Sequence, residues 1–250
     1  MSPSRRKFLS LAALTSGAMS LSGNLFASNS LTEEEYDLPA SIRDLKPMVD
    51  GIVPISVEER KQRIAKAQDL MAQEKIDAIF LEGTASSFYF TSMRWGQSER
   101  AFGVVIPASG SIAYVCPKFE EDRAMELINP VFGDEIRCWE EHENPYALIA
   151  GIVKDRGVKH KRIGMEERVR FFIADGVKKA APGFEIVDAT PITAGCRMYK
   201  SKAEIALMQK SSDITIEAYM AAFATLRPNM PQAEFRANIS AAFRKLGYTG

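Results

Sequence analysis

The chain has 250 residues, 46% hydrophobic and 26% charged, and its 32 Lys and Arg balance 32 Asp and Glu for a formal net charge of zero. That supplies a sizeable core for one large domain, or one domain and part of another, and a neutral balance speaks against a nucleic-acid or polyanion partner. Cys116, Cys138 and Cys196 are widely spaced without a C-x-x-C, so they read as small core residues and not as a disulfide framework.

The amino terminus carries Arg5 and Arg6 ahead of a soft apolar run from Phe8 to Gly23. The run falls short of the roughly 20 strongly apolar residues of a membrane span. Ser-Arg-Arg-x-Phe-Leu, with Ala27 as a small residue at a cleavage point, reads as a twin-arginine export signal over 1–27. The expected location is periplasmic or otherwise exported, with the membrane met only during export. That route carries proteins already folded, often around a metal or cofactor.

Residues 28–54 are polar and punctuated by Pro39, Pro47 and Pro54, which predicts a linker with one helical turn at most. Ser56-x-x-Glu59 is a capping box, followed by Val57, Ile64, Ala67 and Met71 at helical spacing. Ile76 to Leu81 reads as a buried strand and Ser87 to Thr91 as another. Ala101–Pro107 and Ser111–Val115 flank Ala108-Ser109-Gly110, a hairpin signal. A helix over 117–128 and a strand over 135–139 follow. Asn144-Pro145 opens a helix to Arg156; then come a strand at 162–166, a helix at 171–181 and a strand at 184–188. The alternation predicts an α/β domain with a mixed sheet. Beyond it, Ser201-x-x-Glu204 is a second capping box. It heads a long helix with the stripe Ile205, Met208, Ile216, Tyr219, Phe223 and Leu226. A second helix from Pro231 carries Phe235, Ile239, Phe243 and Leu246, and Gly247 is placed to stop it.

This order of parts resembles the creatinase, prolidase and aminopeptidase P family of metallopeptidases. Arg63 to Leu81 is similar to that family's opening helix and strand. Phe88-Tyr-Phe-Thr-Ser92 followed by Arg100 resembles its Tyr-x-Thr-Gly…Arg signature, with Tyr89 or Phe90 in the aromatic place and Ser92 where Gly is usual. Ile163-Gly-Met-Glu166 resembles its Ile-Gly-x-Glu strand. The most specific stretch, Arg197 to Met208, resembles the Arg-x-x-Lys-Ser-x-x-Glu-Ile joint between the amino-terminal and catalytic "pita-bread" domains, and Arg227-Pro-Asn-Met-Pro the loop after the first catalytic helix.

The resemblance implies a creatinase-like amino-terminal domain over 55–195 and the start of a pita-bread domain over 196–250. It implies a hydrolase in which two divalent metal ions, Mn or Zn, and a bridging hydroxide attack a peptide bond next to proline. Its ligands, two Asp, one His and two Glu, belong to the pita-bread sheet past Gly250, so no catalytic or metal residue is assigned here and the chain alone is expected to be inactive. The partners implied are proline-containing peptides and a second copy in a homodimer.

Other constellations point to little chemistry. Glu140-Glu141-His142-Glu143 has the residue types of a metal site, but consecutive residues do not converge, and a solvated loop is expected. His160 sits between Lys159 and Lys161, which oppose a cation. No His-Glu-x-x-His, Gly-x-Ser-x-Gly, P-loop or Gly-x-Gly-x-x-Gly is present. Phe88, Tyr89, Phe90 and Trp95 read mainly as core, with Phe88 and Phe90 on one side of a strand and Tyr89 on the other. Arg94 and Trp95 lie in a polar loop, and by the resemblance this loop reaches a partner's active site, where Arg100 orients a substrate carboxylate through its fork. Arg94, Trp95 and Arg100 are therefore the substrate-proximal candidates, with a plain surface ion pair as the other reading of Arg100. The expectation is the front part of an exported Xaa-Pro peptidase. A non-catalytic peptide-binding or dimerisation module and a metal-free creatinase-like amidinohydrolase stay open.

Overall fold

The computed structural model describes residues 38–248, so the expected export signal over 1–27 and residues 28–37 of the expected linker lie outside the described residues. Two packing units divide the chain, one of residues 51–213 and one that joins residues 38–50 to residues 214–248.

In chain order the elements are α1 (Ala40–Arg43), α2 (Val57–Glu74), β1 (Ala78–Glu82), α3 (Ala85–Thr91), β2 (Gly103–Pro107), β3 (Ala113–Pro117), a 3₁₀ turn (Lys118–Glu120), α4 (Glu121–Leu127) and β4 (Glu135–Trp139). They continue with α5 (Pro145–Asp155), β5 (Arg162–Met165), α6 (Phe171–Ala180), β6 (Glu185–Asp188), α7 (Thr190–Arg197), α8 (Lys202–Phe223) and α9 (Gln232–Lys245).

The larger unit is the expected mixed α/β domain. Its six strands run in the order β4-β3-β2-β1-β5-β6. The hairpin neighbours β1–β2 and β2–β3 are antiparallel, whereas β1–β5, β5–β6 and β3–β4 are parallel. Every residue of β1, β2 and β3 is buried, as a sheet covered on both faces requires. The strand period of two sorts these side chains into two cores. Ile79, Leu81, Val104, Ile106, Tyr114 and Cys116 pack with α2, α4 and α7. Ala78, Phe80, Val105, Ala113 and Val115 pack with α5 and α6. Gly164 of β5 permits that density, since a Cβ there would stand 3.0 Å from the Ala189 Cβ and 3.1 Å from the Ile79 Cγ2.

Two elements differ from the sequence reading. Ser87–Thr91 is not a strand but part of α3. Phe, Tyr and Thr favour strands, yet the Ser87 hydroxyl accepts from the Thr84 amide at 3.1 Å and the Phe88 amide bonds the Thr84 carbonyl, which starts a helix. Phe88 and Phe90 therefore do not share a face. Phe90 is fully buried, while Phe88 and Tyr89 are half-buried. The second is α7, which the pattern did not show. Thr190, Pro191 and Gly195 are poor helix formers, but Pro191 stands in the first turn, Asp188 Oδ1 accepts from the Thr190 amide at 2.9 Å, and the bare Gly195 lets Leu70 approach.

In the smaller unit, the expected single turn is α1. Residues 38–48 of the expected linker are packed: Ile42 is fully buried with Ile214, Ala218, Ala241, Ala242 and Leu246, and Leu38, Leu45 and Met48 lean on them. The Met48 amide donates to the Leu246 carbonyl at 2.9 Å, and Ser41 Oγ donates to the Ala221 carbonyl at 2.9 Å. Gly247 ends α9 as expected. Its φ is 87°, its amide bonds the Arg244 carbonyl, and the next amide, of Tyr248, bonds the Phe243 carbonyl. No helix among the described residues is long and apolar enough to cross a membrane.

Candidate functional site

Arg60 and Arg63 stand one turn apart on α2, and both are buried, at 6% and 7% exposure. Two adjacent buried cations are costly unless each is fully partnered. The partners come from α3. A helix leaves its last carbonyls without intrahelical donors, and here Arg60 Nη1 at 2.8 Å and Arg63 Nη1 at 3.0 Å donate to the Tyr89 carbonyl, while Arg60 Nη1 also donates at 2.6 Å to the Phe88 carbonyl, which accepts from the Ser92 amide as well. The guanidiniums also lie over aromatic rings, Arg63 4.0 Å from the Tyr89 centroid and Arg60 5.2 Å from that of Phe88.

Carboxylates close the arrangement. Arg63 Nη2 is 2.7 Å from Glu59 Oε1 and 3.2 Å from Glu204 Oε1. Glu59 also accepts from the Ser201 hydroxyl at 2.9 Å. Burial alone would raise the Glu59 pKa, but the bonds from Arg63 and Ser201 outweigh it and hold the carboxyl below its ordinary value. Burial, and next the charge of Arg63, depress the Arg60 pKa. Burial pushes the Tyr89 phenol up to about 12, so it stays a neutral donor, and it donates to the Cys196 carbonyl at 3.0 Å.

The four polar residues quoted for the joint, Arg197, Lys200, Ser201 and Glu204, are held here by hydrogen bonds, whereas Ile205 is exposed. Arg197 Nη1 donates to Ser86 Oγ at 3.0 Å. Lys200 Nζ donates to the Arg197 carbonyl at 2.7 Å. Ser201 and Glu204 form the reciprocal box, with the Ser201 amide donating to Glu204 Oε2 at 2.8 Å and the Glu204 amide to Ser201 Oγ at 3.1 Å. Nearby, Glu166 is 2% exposed, accepts from Thr84 Oγ1 at 3.0 Å, and is pushed up by its burial. The result is a clamp around an open concavity of about 600 Å³, holding the first turn of α8 to α2, α3 and α7. Its charges are spent on one another, which suits positioning and not proton transfer or nucleophilic attack. The sequence reading missed the clamp, although Arg60-x-x-Arg63 and the two capping boxes were its available signals.

Of the substrate-proximal candidates, Arg94 and Trp95 line one shallow concavity with Phe88, and Arg100 lines a separate one with Glu141. Trp95 is 7% exposed, stacks on Phe102 at 3.7 Å and carries the Arg123 guanidinium 4.4 Å from its ring. Arg94 is exposed and lies 5.1 Å from the Phe88 ring. Arg100 pairs with Glu141 at 2.6 Å and with Glu99, over the Phe119 ring. Their loop is anchored from β1. Glu82, 1% exposed, accepts from the Arg170 amide and guanidinium, and Arg170 in turn donates to the Ser98 and Arg100 carbonyls.

Glu140 to Glu143 form an exposed turn in which the Glu140 amide donates to Glu143 Oε2 at 2.8 Å, and His160 is exposed. Among the described residues, no three or more His, Cys, Asp and Glu come together that could hold a metal ion. The described residues do not fit the divalent ions the resemblance implies, and no chemical step is derived through them.

Known proteins share this framework. The chain matches the Creatinase/Prolidase N-terminal domain over residues 63–199. It is 31% identical to an uncharacterized peptidase of Schizosaccharomyces pombe over 209 residues, 79% of this chain and 45% of that protein. The dipeptidase PepE from Mycobacterium ulcerans superposes with a TM-score of 0.68 at 22% identity, covering 77% of this chain and 51% of that one. A prolidase from Thermococcus sibiricus superposes at 0.65 with 19% identity, covering 77% and 50%. The chain spans about half the length of the curated relatives it matches. With more than half of its residues matched to that domain, the chain belongs to the creatinase/prolidase family.

Proposed function

We propose that this chain is the amino-terminal part of an exported Xaa-Pro metallopeptidase, acting on proline-containing peptides as a homodimer, with two divalent ions, Mn or Zn, held by residues outside those described. The observation that carries the reading is the family match over 63–199 in a chain that spans half of its peptidase relatives. The geometry adds a role for the chain itself: the clamp of Arg60, Arg63, Tyr89, Ser201 and Glu204 fixes the joint from which a catalytic domain would be hung.

The test is the native protein purified from the exported fraction. A mass well above the 27.7 kDa of this chain, with Xaa-Pro cleavage that depends on added Mn²⁺ or Zn²⁺, is the expected result. A mass at or just below 27.7 kDa with no cleavage overturns it and leaves a docking module. That second reading draws on α8, where Ile216, Met220 and Phe223 are 58%, 65% and 55% exposed. Export is tested separately: replacing Arg5 and Arg6 by Lys is expected to retain the protein in the cytoplasm.

A further inference from the structure

Strand register brings together two cysteines that sequence spacing kept apart. In the parallel pair β3–β4, Cys116 is the direct partner of Cys138. Partners in register point to the same face, and both side chains belong to the core formed with α2, α4 and α7. Neighbouring strands lie about 4.8 Å apart, within the roughly 4.4–6.8 Å between Cα atoms that a disulfide spans. Both thiols are free. β4 is at the edge of the sheet, so one of the two strands can shift to meet the bond.

We propose that Cys116 and Cys138 are a disulfide-forming pair, closed by exchange with a small disulfide oxidant. Cys138 is the attacking thiol, because it is half-buried on the edge strand while Cys116 is fully buried. Its thiolate attacks one sulfur of the oxidant, breaks that S–S bond and releases one thiolate, leaving a mixed disulfide. The Cys116 thiolate then attacks the Cys138 sulfur and releases the second thiolate. Two cysteine thiols are oxidised, one oxidant disulfide is reduced to two thiols, and the cysteine protons end on the released thiolates. Cys196, on α7, takes no part.

The surroundings set the rate. Cys138 Sγ donates to Glu121 Oε1 at 3.2 Å, and burial together with that carboxylate pushes its pKa to about 11. Burial pushes Cys116 to about 12. Exchange is therefore slow at neutral pH and quickens as pH rises, since only the thiolate attacks. Glu121→Gln removes the neighbouring negative charge and is expected to speed closure several-fold at one pH.

The test uses the full chain and needs no assumption about export or peptidase activity. The protein is incubated with oxidised glutathione, remaining thiols are capped with N-ethylmaleimide, and an unreduced tryptic digest is mapped by mass spectrometry. The expected product joins peptide 101–118 to peptide 138–154, with Cys196 capped. It persists in Cys196→Ala, disappears on reduction, and is lost in Cys138→Ala. Capping of both Cys116 and Cys138 after prolonged oxidation at pH 9, or disulfides only to Cys196, between chains or to glutathione, overturns the proposal. The wild-type map decides by itself if a variant fails to fold.

Discussion

Ser92 shows how one atom group can run against its backbone. It ends α3 with φ at 59°, and its amide bonds the Phe88 carbonyl. The left-handed conformation costs an L-residue about 1–2 kcal/mol, and glycine escapes that cost but loses some of the gain to its freer unfolded chain. Ser92→Gly is expected to stabilise the chain by about 0.5–1 kcal/mol in urea unfolding; equal or lower stability would show that the serine side chain contributes more than its strain. Asp77 is the opposite case, a buried carboxylate whose surroundings favour it. Its oxygens accept from the Lys159, His160 and Arg162 amides at 2.7–3.1 Å. Burial raises its pKa, but those bonds outweigh burial and hold it below the ordinary value. A depressed folded-state pKa stabilises fully above the unfolded value of about 4, and the stabilisation is lost as pH falls through the depressed value. Asp77→Asn is expected to cost about 2–3 kcal/mol at pH 7 by leaving amides without their charged acceptor. The gap between variant and wild type then narrows in acid, and a gap independent of pH would contradict the assignment.

Among the elements, those that announce themselves locally were legible. α5 shows its Asn144 cap and Pro145 start, and α9 its Gly247 stop, because each signal lies within one turn of the boundary. α3 and α7 were not, because Thr84, Asp188 and the packing of Gly195 on Leu70 override residue preference. The clamp lies furthest from local reading. Nothing near Arg63 says that it will face the carbonyl end of α3 and a glutamate 141 positions later. Arg63→Ala removes a buried cation from Glu59, Glu204 and the Tyr89 carbonyl, and is expected to cost about 2–3 kcal/mol. Arg63→Lys should recover only part of it, since an ammonium cannot span both the carbonyl and the carboxylates. A double-mutant cycle with Glu204→Gln should give coupling of about 0.5–3 kcal/mol; additive effects would mean the two residues do not act as one clamp.

At the scale of the whole molecule, the alternation of strands and helices was enough for the mixed sheet, because period-two burial on both faces leaves little freedom in how β1, β2 and β3 are covered. The apolar stripe of α8 and the residues just after it is left exposed. Ile205, Met208, Ile216, Tyr219, Phe223 and Leu226 are 41–58% exposed. What α8 buries is a second face, Ile214, Ala218, Ala221 and Ala222, in the unit formed with residues 38–50. A helix apolar on two faces has more to bury than the described residues cover. Ile216 and Met220 are four residues apart on the uncovered side. Replacing both by Lys should change the unfolding free energy of the 250-residue chain by less than about 0.5 kcal/mol, because neither is in its core. The same change should reduce its binding of a hydrophobic dye. If the native protein carries a catalytic half over this face, the identical substitutions should destabilise it by about 1.5–3 kcal/mol for each side chain that half would bury. Equal effects on the two proteins would place the catalytic half elsewhere, since a covered face and a solvated one cannot respond alike to the same two charges.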